Sequence, residues 1–317
     1  MKGVIITGAT GFIGRALCAE IARRFGPDCL IVPLSTREVD LTDRAATFDW
    51  FTRTRRAGPC DHIIHLAALY KAGDWPVHHP ATQFHANMAI NVNLLEAWRR
   101  FLPTAKLTAI LSYCMYPSHE APHPESELWG TEPEDYLFAY AFTKKALLIG
   151  QRAYRQEYGL NSTSVVLPTV YGPGDSFAEN SHVMGALVGK FVRAACDRSS
   201  SVEVWGDGLQ EREFLYVDDA IDGIIAAVAR SDEVVLNLGT GQAYAIGDIA
   251  NWIGEAASFR GKITYNNNRF VGVRRRLLDV SRVKEVLGWQ AATPIETGIR
   301  QTVAWYKATL PENQTAV

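Results

Sequence analysis

Residues 3–14 constrain the fold more than any other stretch. Gly3-Val4-Ile5-Ile6-Thr7 is an apolar run of strand length, Gly8-Ala9-Thr10-Gly11-Phe12-Ile13-Gly14 follows at once, and the chain then reads as helix to about Arg24. In the order strand, Gly-x-x-Gly-x-x-Gly, helix, the glycines let backbone N–H groups approach a pyrophosphate at a helix N-terminus. The plainer alternative is an ordinary glycine-rich turn; the flanking elements favour the cofactor loop. Gly8, Thr10, Gly11, Phe12, Ile13 and Gly14 are therefore candidate cofactor-binding residues.

Strand and helix patterns alternate to about Leu167, which predicts an α/β fold: a Rossmann-type, doubly wound parallel sheet. The second strand, Cys29 to Pro33, should end near an adenosine ribose, where an NAD enzyme usually carries an acid. Here Leu34-Ser35-Thr36-Arg37 follows, with no acid at the strand end. Ser35 and Arg37 better suit the extra phosphate of NADP, unless Arg37 is merely solvated. Asp61 to Ala68 reads as a strand running into small residues, so Leu66, Ala67 and Ala68 should pass beneath the cofactor. Phe84 to Phe101 is a long amphipathic helix carrying Asn87, Asn91 and Asn93. Beyond Pro168 the pattern changes to loops and short strands, with Val234 to Gly239 a late strand returning to the main sheet. No Gly/Ser linker separates the halves. We expect a cofactor domain at 1–170 with returning segments near 214–245, and a smaller C-terminal α/β substrate domain woven from 171–213 and 246–317.

The chemistry is concentrated between Ser112 and Lys144. Leu107 to Leu111 is an apolar strand ending in Ser112-Tyr113-Cys114, and Tyr140 and Lys144 are four apart on a helix-compatible run, so both share one face. A tyrosine hydroxyl in such a pair can exchange a proton with a substrate oxygen. The lysine ammonium is expected to lower the tyrosine's pKa, and the serine to hold the same oxygen.

Composition excludes several other classes. The chain is 47% hydrophobic and 21% charged with a net charge of −2, which gives no reason to propose nucleic acid or a membrane surface as partner. There is no apolar run of membrane-spanning length, and the N-terminus enters a strand without a signal-peptide pattern. Cys18, Cys29, Cys60, Cys114 and Cys196 are scattered and odd in number, which suggests reduced thiols in a cytoplasm. His62, His65, His78, His79, His85, His119 and His123 show no convincing zinc spacing, so no metal is expected.

Taken together, the chain resembles the extended short-chain dehydrogenase/reductase superfamily, and within it the GDP-L-fucose synthase family. General marks are Gly8-x-x-Gly11-x-x-Gly14, Ser112, Tyr140-x-x-x-Lys144, Tyr171-Gly172-Pro173 and Arg212-x-Phe214-x-x-Val217-Asp218-Asp219. More specific are Ser112-x-Cys114-x-Tyr116-Pro117, Glu125-Ser126-Glu127-Leu128, Asn180-Ser181-His182-Val183 and Arg275-Arg276-Leu277-Leu278-Asp279-Val280. The resemblance implies an NADPH-dependent enzyme acting on a nucleotide-diphosphate sugar, in which Cys114 and His182 do proton chemistry on a keto sugar and NADPH then reduces it. It implies Lys190, Trp205, Arg212 and Arg275 as substrate-binding residues, and a homodimer formed through Phe84–Phe101 and Tyr140–Tyr158. An epimerase or 4-ketoreductase performing one half-reaction, or acting on another sugar such as a heptose, is the alternative. Departures from the family pattern are Leu69-Tyr70-Lys71-Ala72-Gly73-Asp74, Thr169, Lys190 in place of an arginine, and Arg274.

Overall fold

The computed structural model describes residues 1–130, 135–230, 235–269 and 271–310. The first half alternates strands β1 (Gly3–Thr7), β2 (Leu30–Leu34), β3 (His62–His65), β4 (Lys106–Ser112) and β5 (Ser162–Leu167) with helices α1 (Phe12–Phe25), α2 (Arg44–Ala57), α3 (Trp75–His78), α4 (Pro80–Phe101) and α5 (Phe138–Tyr158). The second half contains β6 (Thr169–Tyr171), α6 (Val183–Cys196), β7 (Ser201–Trp205), β8 (Glu211–Tyr216), α7 (Val217–Arg230) and β9 (Leu236–Asn237). It ends with β10 (Ala243–Ala245), α8 (Ile246–Ala257), β11 (Lys262–Asn266), β12 (Arg275–Arg276), α9 (Ser281–Leu287) and α10 (Ile295–Thr309).

The main sheet has six parallel strands in the order β2-β1-β3-β4-β5-β9. Every residue of β1 and β5 is buried, as strands covered by helices on both faces must be. Strand order reverses at β1, so the loop after Thr7 opens at a topological switch point, where ligands bind in such sheets. Of the stretch expected to return to this sheet, only β9 does so; residue 234 lies outside the described residues. Strand β8 instead centres a smaller sheet with β6, β10 and β12, while β7 and β11 pair separately.

Helix α4 carries a row of buried amides at Gln83, Asn87 and Asn91, spaced four apart on one face, with Asn93 beside it. Together they reach the loop at Leu69, the loop at Leu41–Thr42, strand β3 and helix α5. Asn87 brackets Leu69, accepting from its N–H at 2.7 Å and donating to its C=O at 3.0 Å, and Gln83 donates to that same carbonyl. Asn93 donates to Leu41 and Thr42 carbonyls. Asn91 closes a relay from the glycine loop to the Tyr/Lys helix. The Ala67 N–H donates to Thr7 Oγ1 at 3.1 Å, and Thr7 Oγ1 pairs with His65 Nδ1 at 2.7 Å. His65 Nε2 pairs with Asn91 Oδ1 at 3.3 Å, and Asn91 Nδ2 donates to Thr143 O at 2.9 Å. Burial, then the nearby Lys144, pushes the His65 pKa down to about 3, so the ring stays neutral. A single tautomer satisfies every bond: Thr7 donates to Nδ1 and Nε2–H donates to Asn91.

Asn91→Leu keeps the side chain's shape while leaving the buried His65 imidazole N–H unpaired and removing the extra bond to Thr143 O, which keeps its partner within α5. The orphan costs about 1–3 kcal/mol. We expect a thermal midpoint lowered by several degrees, read by calorimetry; an unchanged midpoint would show that water replaces both bonds.

Candidate active site

Three cavities run along the C-terminal edge of the sheet. The first, about 440 Å³, is lined by Gly8, Thr10, Gly11, Ser35, Thr36, Asp40, Leu66, Ala67 and Ala68. Its floor depends on two glycines. Gly8 has φ +71°, and a Cβ there would lie 2.9 Å from Ala67 N; a Cβ on Gly14 would lie 2.2 Å from Gly8 O. Helix α1 starts at Gly11 with no side-chain cap, which leaves its first N–H groups directed at the groove. These features fit a dinucleotide pyrophosphate. Ser35 lines the groove, but its N–H and hydroxyl both donate to Glu38 Oε2, at 2.8 and 2.6 Å. The acid missing from the strand end is thus supplied three residues later and held inside the turn. Arg37 does not line the cavity; it is exposed, and its N–H donates to Ser35 Oγ.

Leu66 and Ala68 continue into the second cavity, about 360 Å³, which also receives Phe12, Ile13, Ser112, Cys114, Tyr140, Lys144 and His182. All five expected catalytic side chains are therefore brought together. Ser112 ends β4 and caps the turn that follows, its Oγ accepting from the Cys114 N–H at 3.4 Å and from the Cys114 thiol at 3.1 Å. Lys144, buried on α5, donates from Nζ to Ile110 O at 2.8 Å and stands 5.7 Å from the centroid of the Tyr140 ring. Burial lowers its pKa to about 8. The expectation that Lys144 lowers the pKa of Tyr140 is not met. Burial, reinforced by Cys114 and Tyr70, raises Tyr140 well above the ordinary phenol value, and the ammonium is handed to a backbone carbonyl rather than to the hydroxyl. A phenol that keeps its proton suits a proton donor. His182 immediately precedes α6, lines the cleft while keeping an exposed surface, and has its pKa lowered by desolvation.

The third cavity, about 210 Å³, is lined by Lys190, Trp205 and Arg212 and shares Tyr70, Tyr136, His182, Val183 and Arg212 with the second. Lys190 Nζ sits 4.9 Å and the Arg269 guanidinium 5.3 Å from the Trp205 ring centroid. Trp205 Nε1 is buried with no hydrogen-bond partner among the described residues. Arg275 is the exception among the expected substrate contacts. It points out of the cleft, donating to Glu120 O and pairing with Glu211 at 2.9 Å, because neighbours on a strand face opposite ways. Its neighbour Arg276 is buried in the cavity wall, 5.0 Å from the Tyr113 ring centroid. Tyr70, Tyr136 and Arg276 line the site though sequence reasoning did not assign them; Tyr70 had a signal in the loop that departs from the family pattern, and Arg276 in the motif from which Arg275 was chosen. Outside the cleft, His119 and His123 both pair with Glu127 Oε2, at 3.0 and 2.8 Å, and the potential ligand atoms of all three lie within 4.8 Å of one another. The three lie four residues apart along the chain, a spacing that sequence analysis did not single out.

The profile of the NAD dependent epimerase/dehydratase family matches residues 4–247. The chain belongs to that family. It is 32% identical over 317 residues to the GDP-L-fucose synthase of Escherichia coli K12, covering 96% of each chain. Among solved structures, a GDP-6-OMe-4-keto-L-xylo-heptose reductase from C. jejuni superposes with a TM-score of 0.87 at 25% identity, covering 98% of both chains. A GDP-L-fucose synthetase from Naegleria fowleri bound to NADP gives 0.86 at 26% identity, with 96% of this chain and 92% of that one covered. This is a nucleotide-sugar enzyme of the GDP-fucose synthase group, in a family that uses NAD(P). Among the described residues no helix is long and apolar enough to cross a membrane.

Tyr140→Phe removes the buried hydroxyl and keeps the ring, so hydride transfer should fall about 100-fold or more while cofactor binding survives. In the wild type, burial sets the Lys144 pKa below the ordinary lysine value, so its ammonium is lost as pH rises through about 8, and the reductive rate should fall with it. Stopped-flow nicotinamide absorbance across pH checks both; normal turnover by Tyr140→Phe would remove that hydroxyl from the chemistry.

Proposed function

We propose that this enzyme is an NADPH-dependent 3,5-epimerase and 4-reductase of a GDP-linked 4-keto-6-deoxy sugar. The observation that carries the reading is the convergence of Ser112, Cys114, Tyr140, Lys144 and His182 on one cavity. A 4-keto group acidifies the hydrogens on carbons 3 and 5, because the resulting carbanion is an enolate. Cys114, as thiolate, removes a proton from one face, and the electron pair moves onto the carbon-4 oxygen, where Ser112 and Tyr140 stabilise it. His182, protonated, returns a proton from the other face, and both groups re-equilibrate with water. The bound cofactor supplies the hydride of the reduction. Tyr140 gives its proton to the carbon-4 oxygen as carbon 4 is reduced, with the Lys144 charge behind it. One oxygen site thus serves both halves. Lys190, Trp205 and Arg212 hold the nucleotide end, a role supported by the unpartnered Trp205 N–H. The C. jejuni likeness supports a second reading, 4-reduction alone on a GDP-linked heptose.

Further parts of the reading have their own supports. Residues 1–170 with returning segments near 214–245, among them β9 and the helix α7 packed on α1, β4 and β5, form the cofactor domain, and 171–213 with 246–317 the substrate domain, a division supported by the two larger sheets. Phe84 and Val92 of α4 and Phe142 and Ile149 of α5 are 41%, 51%, 50% and 55% exposed, an apolar face on two packed helices that supports a homodimer. Five free cysteines support a reducing, cytoplasmic setting.

NADPH should bind about tenfold more tightly than NADH, since Glu38 is consumed by Ser35 and Arg37 remains at the rim to meet a phosphate. Paired fluorescence titrations test this. Tighter NADH binding would sink it, and undiminished NADPH affinity in Arg37→Ala would take Arg37 out of the site.

Cys114→Ser should lose solvent exchange at carbons 3 and 5, because a hydroxyl does not supply an anion near neutral pH, while reduction of the unepimerised ketone continues. His182→Asn should keep exchange on the Cys114 face and lose inversion. Deuterium uptake from heavy water, followed by NMR on a GDP-linked 4-keto-6-deoxyhexose, decides this. Normal uptake by Cys114→Ser would end its role as base, and reduction without uptake in the wild type would leave a 4-ketoreductase only.

A further inference from the structure

Tyr70 is the one bulky residue of the loop following Ala68 that enters both the catalytic and the substrate cavities. Its ring lies 4.7 Å from that of Tyr140, tilted by 54°, and stacks face to face on His182 at 5.1 Å with 7° between the planes. Tyr70 thus stands between the two side chains that deliver protons in the proposed reaction. Among the described residues, no other ring contact and no side-chain hydrogen bond is formed by the His182 imidazole. An imidazole at a helix start without a hydrogen bond turns freely about its side-chain bonds, so a flat partner is what fixes its plane. The partner is itself held at its root. Leu69 is bracketed through both N–H and C=O by Asn87, with Gln83 on the same carbonyl, so the chain enters Tyr70 in a set direction.

We propose that Tyr70 is a positioning residue: its aromatic face holds the His182 imidazole edge-on to the substrate cleft, opposite Cys114, so that the proton returned to the enolate arrives from one face. The proposal rests on the reading of His182 as the proton donor. An aromatic face also favours the protonated imidazole, which is the form that donates. The phenol hydroxyl is not required for either effect; the ring is.

The test compares wild type, Tyr70→Phe and Tyr70→Leu, each with its thermal midpoint measured. Deuterium uptake and inversion on a GDP-linked 4-keto-6-deoxyhexose are followed without cofactor, and hydride transfer from NADPH is followed in single turnovers. Tyr70→Phe should behave like wild type within about twofold. Tyr70→Leu should lose inversion about tenfold or more in kcat with KM little changed, because misaligning a proton donor costs rate rather than affinity. Exchange initiated by Cys114 and hydride transfer should both persist in that variant. Wild-type inversion by Tyr70→Leu overturns the proposal, as does equal loss of inversion and hydride transfer, which marks a merely structural role. Loss in Tyr70→Phe overturns it in favour of the hydroxyl. If the wild type itself takes up no deuterium, the epimerase reading fails first and the positioning role goes with it.

Discussion

The buried relay from Ala67 through Thr7, His65 and Asn91 to Thr143 fixes the spacing on which the site depends. It begins where the backbone passes beneath the cofactor groove and ends one residue before Lys144. Each member is buried or nearly so, and a single tautomer leaves no unpaired group, so the network has one low-energy arrangement. A helix packed only by apolar contacts could slide by a fraction of an ångström; one whose backbone carbonyl is held by Asn91 has no such freedom. The same row of amides on α4 anchors Leu69, ahead of Tyr70, and Leu41 and Thr42 beside the first cavity. Helix α4 therefore sets two loops and the neighbouring helix α5 at once.

Burial governs the electrostatics that follow. In the second cavity, desolvation disfavours charge on four groups, raising Tyr140 and Tyr70 and lowering Lys144 and His182. In the proposed reaction, Tyr140 holds its proton until an oxygen that is gaining negative charge takes it. His182 with a lowered pKa is a stronger acid once protonated, which suits delivery to a carbon. In a site of low dielectric, the hydrogen bonds of Ser112 and Tyr140 to a developing oxyanion strengthen more than they would in water.

Segments of the second half of the chain are tied to one another through Glu213. Its carboxylate, buried on β8, accepts from the N–H groups of Thr240, Gly241 and Leu278. That holds the segment following β9 and the segment following β12 against one strand, which brings Arg276 and Arg212 to the cleft although 64 residues separate them. Asn237 works beside it, bonding Tyr116, His123 and Asp279.

The sequence by itself determined the parallel sheet, the glycine loop and the five side chains that gather in the second cavity. Those signals are local: a strand followed by Gly8, Gly11 and Gly14, a Tyr140/Lys144 pair four apart, and short motifs around Ser112 and His182. The tertiary structure alone decided which residue of a strand faces inward and what a distant loop brings with it. Arg276, not Arg275, enters the cleft because the register of β12 against β8 sets the alternation, and pairing across 64 residues leaves no mark on local spacing. Glu38 reaches back to Ser35 because of a turn that the strand-end rule did not anticipate. The protonation of Tyr140 was read from its neighbour Lys144 but is ruled by burial, which is a property of everything packed around a group and of no single residue beside it.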